Sequence, residues 1–278
     1  MEEPFWTAEG GDALLRAPLV RASLVHGYLP GFLLIRAQED AGASLARALK
    51  ARHYRTVVVG PLLALDQSVN VSPTTRLLLV VEDQAGPYQE NAARLEFDRT
   101  SSFRTAGLAA GLSISQEAGG TAVNALASRI GVLVSAHPPG TSTELAAFTQ
   151  GVAQALDGGQ PVIRSLSDPI DRNAVKAAVD QMRRDGVEIF LLFMGAPDSW
   201  ALETLKDDGG SAVVSDWAAS GAFPRQVFLS IETDLVGGIT LFLAGKVNAQ
   251  GIVSGPVRVV AAKARPIPPQ VAARVALK

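Results

Sequence analysis

The chain has 278 residues, 47% of them hydrophobic, with 25 basic and 27 acidic side chains and a net charge of −2. That length supports one large or two medium domains around a sizeable core, and the near-neutral balance argues against a nucleic-acid partner, which favours a basic face. The absence of cysteine removes disulfides, thiolate metal sites and cysteine nucleophiles, and suits a cytosolic protein or an exported bacterial one. No apolar run reaches the roughly 18 residues a membrane span needs. The opening MEEPFWTAEGGD lacks the basic and apolar regions of a signal peptide; removal of such a segment would leave an opening of the same kind.

In chain order, residues 22–26 predict a first strand between Pro18 and Pro30, and residues 31–35 (GFLLI) a second. Residues 39–51 predict a helix with Leu45, Ala48 and Leu49 inward. Strands are expected at 56–59 (TVVV) and 76–81 (RLLLVV), then a short, more polar one at 94–97, expected at a sheet edge. Residues 100–115 predict a helix rich in alanine and glycine, and 116–121 a loop or crossover. The next stretch repeats the rhythm more strongly. Strands at 129–135 (RIGVLVS), 161–166, 188–194 (EIFLLFM), 212–215 and 226–231 alternate with helices at 143–156, from Asp171 or Asn173 onward, and at 198–205. A helix at 233–243, a strand at 255–262 and a helix at 269–277 complete the chain. Strands apolar on nearly every residue, alternating with helices, mean parallel sheets covered on both faces. The expected fold class is therefore α/β, with two three-layer α/β lobes around parallel sheets. Ile130, Val132, Val134, Ile189, Leu191, Phe193, Val213, Val227 and Leu229 are the expected core of the second.

Parallel sheets bind ligands beyond the carboxyl ends of their strands, so the candidate site residues are those that end strands. Gly60 ends TVVV and Asp83, or Glu82, ends LLLVV. His137 comes after RIGVLVS, Gly195 after EIFLLFM, and Asp216 and Trp217 after AVVS. Trp200 lies one turn into the next helix, and Phe103 and Arg104 near the start of another. Each has a plainer reading: Asp216 as a turn cap, the tryptophans as packing, Gly195 as a turn, Arg104 as a solvated cation. A lone histidine needs a partner to do chemistry, and no metal-binding spacing, phosphate-binding glycine loop or nucleophile elbow occurs. No cofactor, metal or catalytic group is expected.

The order of TVVVGPLLALD, TTRLLLVVED, LEFDRTSSFRTAGLAAGLSIS, RIGVLVSAHPPGTSTELAAFTQGVAQAL, DRNAVKAAVDQMRRDGVEIFLLFMG, SAVVSDWAASG and QVFLSIETDLVGGI resembles the basic membrane protein family of type I periplasmic binding proteins, from about Arg55 onward. The resemblance implies two lobes joined by a three-segment hinge, with crossings near 119–128, 231–234 and 253–256. The lobes would then comprise 1–120 plus 234–253, and 129–231 plus 256–278. It also implies a non-catalytic, extracytoplasmic, membrane-anchored, monomeric lipoprotein. Such a protein closes over a small polar ligand, a nucleoside in characterised members, and presents it to a membrane transporter permease. Two departures stand out. The family's N-terminal ligand loop has no counterpart before Gly31, and Thr233 stands where the family favours a lysine. A degenerate paralogue with a structural or signalling role, and a two-lobed α/β enzyme, are the rival expectations.

Overall fold

The computed structural model describes residues 6, 11–36, 40–61, 71–81, 92–117, 123–135, 141–167, 171–194, 198–208, 210–214, 222–247, 251–255, 257–261 and 267–275. The chain divides into two compact units, Met1–Asp98 with Thr233–Pro256, and Arg99–Glu232 with Val257–Lys278.

The first unit holds a four-stranded sheet. Its strands are β1 (Thr56–Val59), β2 (Arg76–Val80), β3 (Ala93–Phe97) and β9 (Ile252–Gly255), side by side in the order β1-β2-β3-β9 with every pairing parallel. Alternate residues of these strands face opposite ways. Leu78, Val80, Leu95 and Val253 pack against α1 (Ala17–Val25) and Ile239 and Phe242 of the later helix Leu235–Leu243. Val57, Val59, Leu77 and Leu79 pack against α2 (Ala41–Ala51). Asp40 caps α2, its carboxylate accepting the Ala43 amide at 2.9 Å.

Three expectations for this unit are corrected. Residues 22–26 are not a strand, because α1 runs through them with Pro18 in its first turn. Residues 31–35 hold only an isolated bridge at Ile35. β3 is an interior strand between β2 and β9 rather than an edge. Its polar residues Arg94 and Glu96 approach one another at 3.5 Å, which lets a central strand carry both charges.

The second unit holds a six-stranded sheet. The strands are β4 (Ile130–Ser135), β5 (Val162–Leu166), β6 (Ile189–Phe193), β7 (Ser211–Val214), β8 (Val227–Thr233) and β10 (Val257–Ala261), in the order β10-β8-β7-β6-β4-β5. The pairings from β5 through β8 are parallel. One face, with Ile130, Val132, Leu191, Val213 and Leu229, is covered by α3 (Thr100–Glu117), α5 (Thr141–Ala155) and α9 (Pro269–Val275), with the short α4 (Val123–Ala127) beside them. The other, with Leu133, Phe190, Leu192 and Val214, is covered by α6 (Arg172–Arg184) and α7 (Asp198–Asp208). The expected core residues are buried except Phe193, which is half-buried. β5 differs from its reading as a buried run: it pairs only with β4, and Val162 and Ile163 are exposed. A bulge in β8 places Val213 opposite Leu229 while Ala212 opposes Val227, so Phe228 and Leu229 both face the α3 layer.

α6 shows how the sequence builds this unit. Asp171 accepts the Asn173 amide at 2.8 Å, Val175, Ala178, Val179 and Met182 form the inward stripe, and Arg183 and Arg184 meet the negative end of the helix dipole. A further correction concerns α3, which falls in the first lobe when residues 1–120 are read as one body. It belongs to the second unit, so the first boundary falls at Asp98–Arg99 rather than near residues 119–128. The cause is glycine. A Cβ on Gly107 would strike the Phe148 carbonyl, and one on Gly151 the Arg104 carbonyl, so α3 and α5 approach to backbone contact. The other boundaries fall at Glu232–Thr233 and Pro256–Val257. α8 (Leu235–Leu243) then opens on Asp234, whose carboxylate accepts the Gly237 amide at 2.8 Å. No helix among the described residues is long and apolar enough to cross a membrane.

Candidate functional site

In the second sheet the chain leaves β4 through α5 on one face to reach β5, then returns through α6 on the other face to β6, across β4. β4 and β6 therefore flank the point where the strand order reverses. Connections leaving their carboxyl ends depart to opposite faces, to α5 and to α7, and this is where open parallel sheets form a ligand crevice.

The described residues at that edge form a polar and aromatic cluster. Phe193 ends β6 and meets Phe103 of α3 edge-on, with ring centroids 5.1 Å apart. The Arg99 guanidinium lies over the Phe103 ring at 5.4 Å, and its Nε is 3.3 Å from a Glu144 carboxylate oxygen. Glu144 lies in the first turn of α5, where the helix dipole favours an acid. The 3.3 Å approach is an ion pair but not an aligned hydrogen bond: Nε and Nη2 of Arg99 are buried without a hydrogen-bond partner. Such groups are rare in folded chains and call for an explanation. Beyond β6, buried Asp198 accepts the Met194 amide at 2.9 Å and so ties the start of α7 to the strand end. Trp200 and Phe223, with Met194, pack half-buried against the core on that face.

At the end of β8 stand Ser230 and Glu232, both buried. Ser230 aligns with Val214, the last residue of β7, so Glu232 lies beyond the end of that neighbour. The Ser230 hydroxyl finds no partner within hydrogen-bond geometry. Burial raises the Glu232 carboxyl above its ordinary value; proximity to the Ser230 hydroxyl and the charge of Arg258 oppose that rise without cancelling it.

The residues singled out from sequence fare unequally. Gly60 is buried at the carboxyl end of β1. Phe103 is at the switch-point edge but wholly buried, so it supports Arg99 and offers a ligand no surface. Arg104 turns away to the Gln154 side-chain carbonyl at 3.3 Å. Trp200 is half-buried in the first turn of α7 and packs against the core on that face. Asp83, His137, Gly195, Asp216 and Trp217 lie outside the described residues. Arg99, Glu144, Asp198, Ser230 and Glu232 are further candidates that the structure places at this edge and that sequence reasoning missed. Asp198 was legible as an acid opening a helix after an apolar strand. Among the described residues no group of three histidines and carboxylates converges as a metal site.

No protein-family model matches the chain, and no curated protein matches it. Solved structures do. An ABC-transporter-system solute-binding protein from Conexibacter woesei is 13% identical, with a TM-score of 0.70 over 97% of this chain and 90% of its own. A transcriptional activator of the comK gene from Bacillus halodurans is 15% identical, with a TM-score of 0.69 over 99% of this chain and 93% of its own. A LacI transcriptional regulator from a Rhodococcus species is 13% identical, with a TM-score of 0.60 over 96% and 97%. The architecture is thus that of the type I periplasmic-binding-protein-like class, two α/β units with parallel sheets.

Proposed function

We propose that this chain is a non-catalytic solute-binding protein that captures a small polar molecule at the carboxyl edge of its second sheet. The observation that carries this reading is the Arg99 guanidinium at the switch point, with two buried nitrogens lacking hydrogen-bond partners. The Arg99 side chain as a whole is 25% exposed, and a guanidinium so placed suits a ligand carrying hydrogen-bond acceptors, while the Glu232 carboxyl suits a ligand hydroxyl or amine. Likeness in fold to ABC solute-binding proteins supports delivery to a membrane permease from an extracytoplasmic position. A nucleoside is the first ligand to test, on the resemblance to the basic membrane protein family; Thr233 in place of the family's lysine predicts altered or weaker binding. Likeness to LacI-type regulators supports a second reading, a sensory unit that binds the same kind of ligand without a permease.

Calorimetry with adenosine, guanosine and inosine tests the proposal. Binding that weakens roughly 5- to 150-fold in Arg99→Ala, the effect of leaving a buried hydrogen bond unmade, or that weakens in Asp216→Ala, supports it. No heat with any nucleoside removes the nucleoside but not the site. A ligand that binds equally well to both variants removes the site.

A further inference from the structure

A cavity of about 490 Å³ lies wholly within the first unit, at the amino end of its first strand. It is built where β1 begins, at Arg55 and Thr56, and not at the carboxyl end marked by Gly60. It exists because α1 ends before it can cover β1. After Val25 the chain turns through Gly27, in the left-handed region at φ 77°, and residues 29–34 then pass over Thr56 and Val58 without forming helix or strand. Those two strand residues stay half-buried while Val57 and Val59, facing α2, are buried.

The lining is graded. Its floor is buried and apolar: Trp6, Leu19, Ile239 and Leu243. Its walls are half-buried aromatic rings: Tyr28, Phe32 and Tyr54. Its rim is exposed and carries Arg55 and His53. The Tyr28 hydroxyl accepts from Arg76 at 3.3 Å, and Arg76 donates to the Phe242 carbonyl at 2.7 Å and stacks on that ring, so this wall is held in place from behind. Cavities of several hundred Å³ with aromatic walls and few polar groups are typical small-molecule sites. Leu29, at the rim, is 91% exposed, an arrangement that a seated apolar body relieves.

From this gradient we infer that the first unit carries its own ligand site, for an amphipathic small molecule with a flat apolar body and one anionic group. The body lies between Tyr28, Phe32 and Tyr54 over the apolar floor, and the anion meets Arg55 at the rim. The site is independent of the carboxyl-edge site and does not rest on the solute-binding reading.

Two fluorescent probes of similar body test it with the full chain: anilinonaphthalene sulfonate, which is anionic, and neutral N-phenylnaphthylamine. Both are expected to bind saturably, one per chain. Arg55→Ala is expected to weaken the sulfonate roughly two- to fivefold, the effect of losing an exposed ion pair, and to leave the neutral probe unchanged. Val58→Trp, which fills the cavity, is expected to abolish both. Should that variant fail to fold, amide NMR shifts of the unmodified chain on adding the neutral probe are expected to concentrate at residues 27–34 and 53–58. Non-saturable binding, or shifts elsewhere, overturns the proposal. So does sedimentation showing a dimer whose formation displaces the probe, because the cavity then seats a second copy.

Discussion

The two units solve one packing problem with different margins. The second covers both faces of a six-stranded sheet, and its central strands β6 and β7 are buried on every residue but the last of β6. The first covers four strands, but its α1 layer stops short of β1 and leaves a cavity there. A continuously apolar run read from sequence therefore marks an interior strand at β2 and β6 but an edge strand at β1 (TVVV), while completeness of the helical cover depends on where a helix happens to end. The polar side chains divide in the same way. The second unit concentrates buried polar groups at its carboxyl edge, whereas the first presents an apolar cavity with a basic rim.

The sharpest test of equal sheet centres is a matched pair of truncations. Leu191→Ala in β6 and Leu78→Ala in β2 remove side chains with no exposed surface, and each is expected to cost about 2–5 kcal/mol in denaturant unfolding. A loss below about 1 kcal/mol for Leu78→Ala alone would show that the first sheet is loosely packed at its centre as well as its edge. Next comes the glycine contact that places α3 in the second unit. Gly151→Ala is expected to cost about 1–3 kcal/mol, because the new methyl meets the Arg104 carbonyl rather than a side chain able to move. The helix caps are smaller: Asp171→Ala and Asp40→Ala should each lose about 1 kcal/mol, one in each unit.

Glu232 gives the second unit a pH signature. Its folded carboxyl holds a proton more tightly than the unfolded one, whose value is near 4.5. The folded chain therefore binds more protons above that value. This group's contribution is fully present below it and is lost as pH rises through the raised folded value. Glu232→Gln is expected to flatten that fall and to increase stability at neutral pH relative to the parent chain, measured by denaturation across a pH series. A variant that is less stable than the parent at neutral pH would mean that the carboxylate is held by favourable charge rather than strained by burial.

Much of the second unit was legible because its central strands are buried on both faces and its α6 carries a cap, an apolar stripe and terminal cations in register. The first 35 residues were less legible although the signals are present. Pro18 in a first turn and Gly27 just past His26 are a helix start and stop, but Pro18 and Pro30 equally suit the flanks of a short strand. β3 reads as an edge because Arg94 and Glu96 are charged, and a local pattern does not show that the two neutralise each other. The site was less legible for a topological reason. Arg99 and Glu144 are far apart in sequence and meet only because glycines let α3 and α5 touch. The β8 bulge, which turns Phe228 and Leu229 to one face, likewise has no signature in a plain apolar run.

Capture of a small polar molecule at the carboxyl edge of the second unit is open to one direct measurement. Native mass spectrometry of the chain purified from its own source tests it most directly. A single small-molecule adduct is expected, one per chain, released on collisional activation and absent from Arg99→Ala. A bare mass for the parent chain together with no binding heat from polar metabolites, or an adduct retained undiminished in Arg99→Ala, would contradict it.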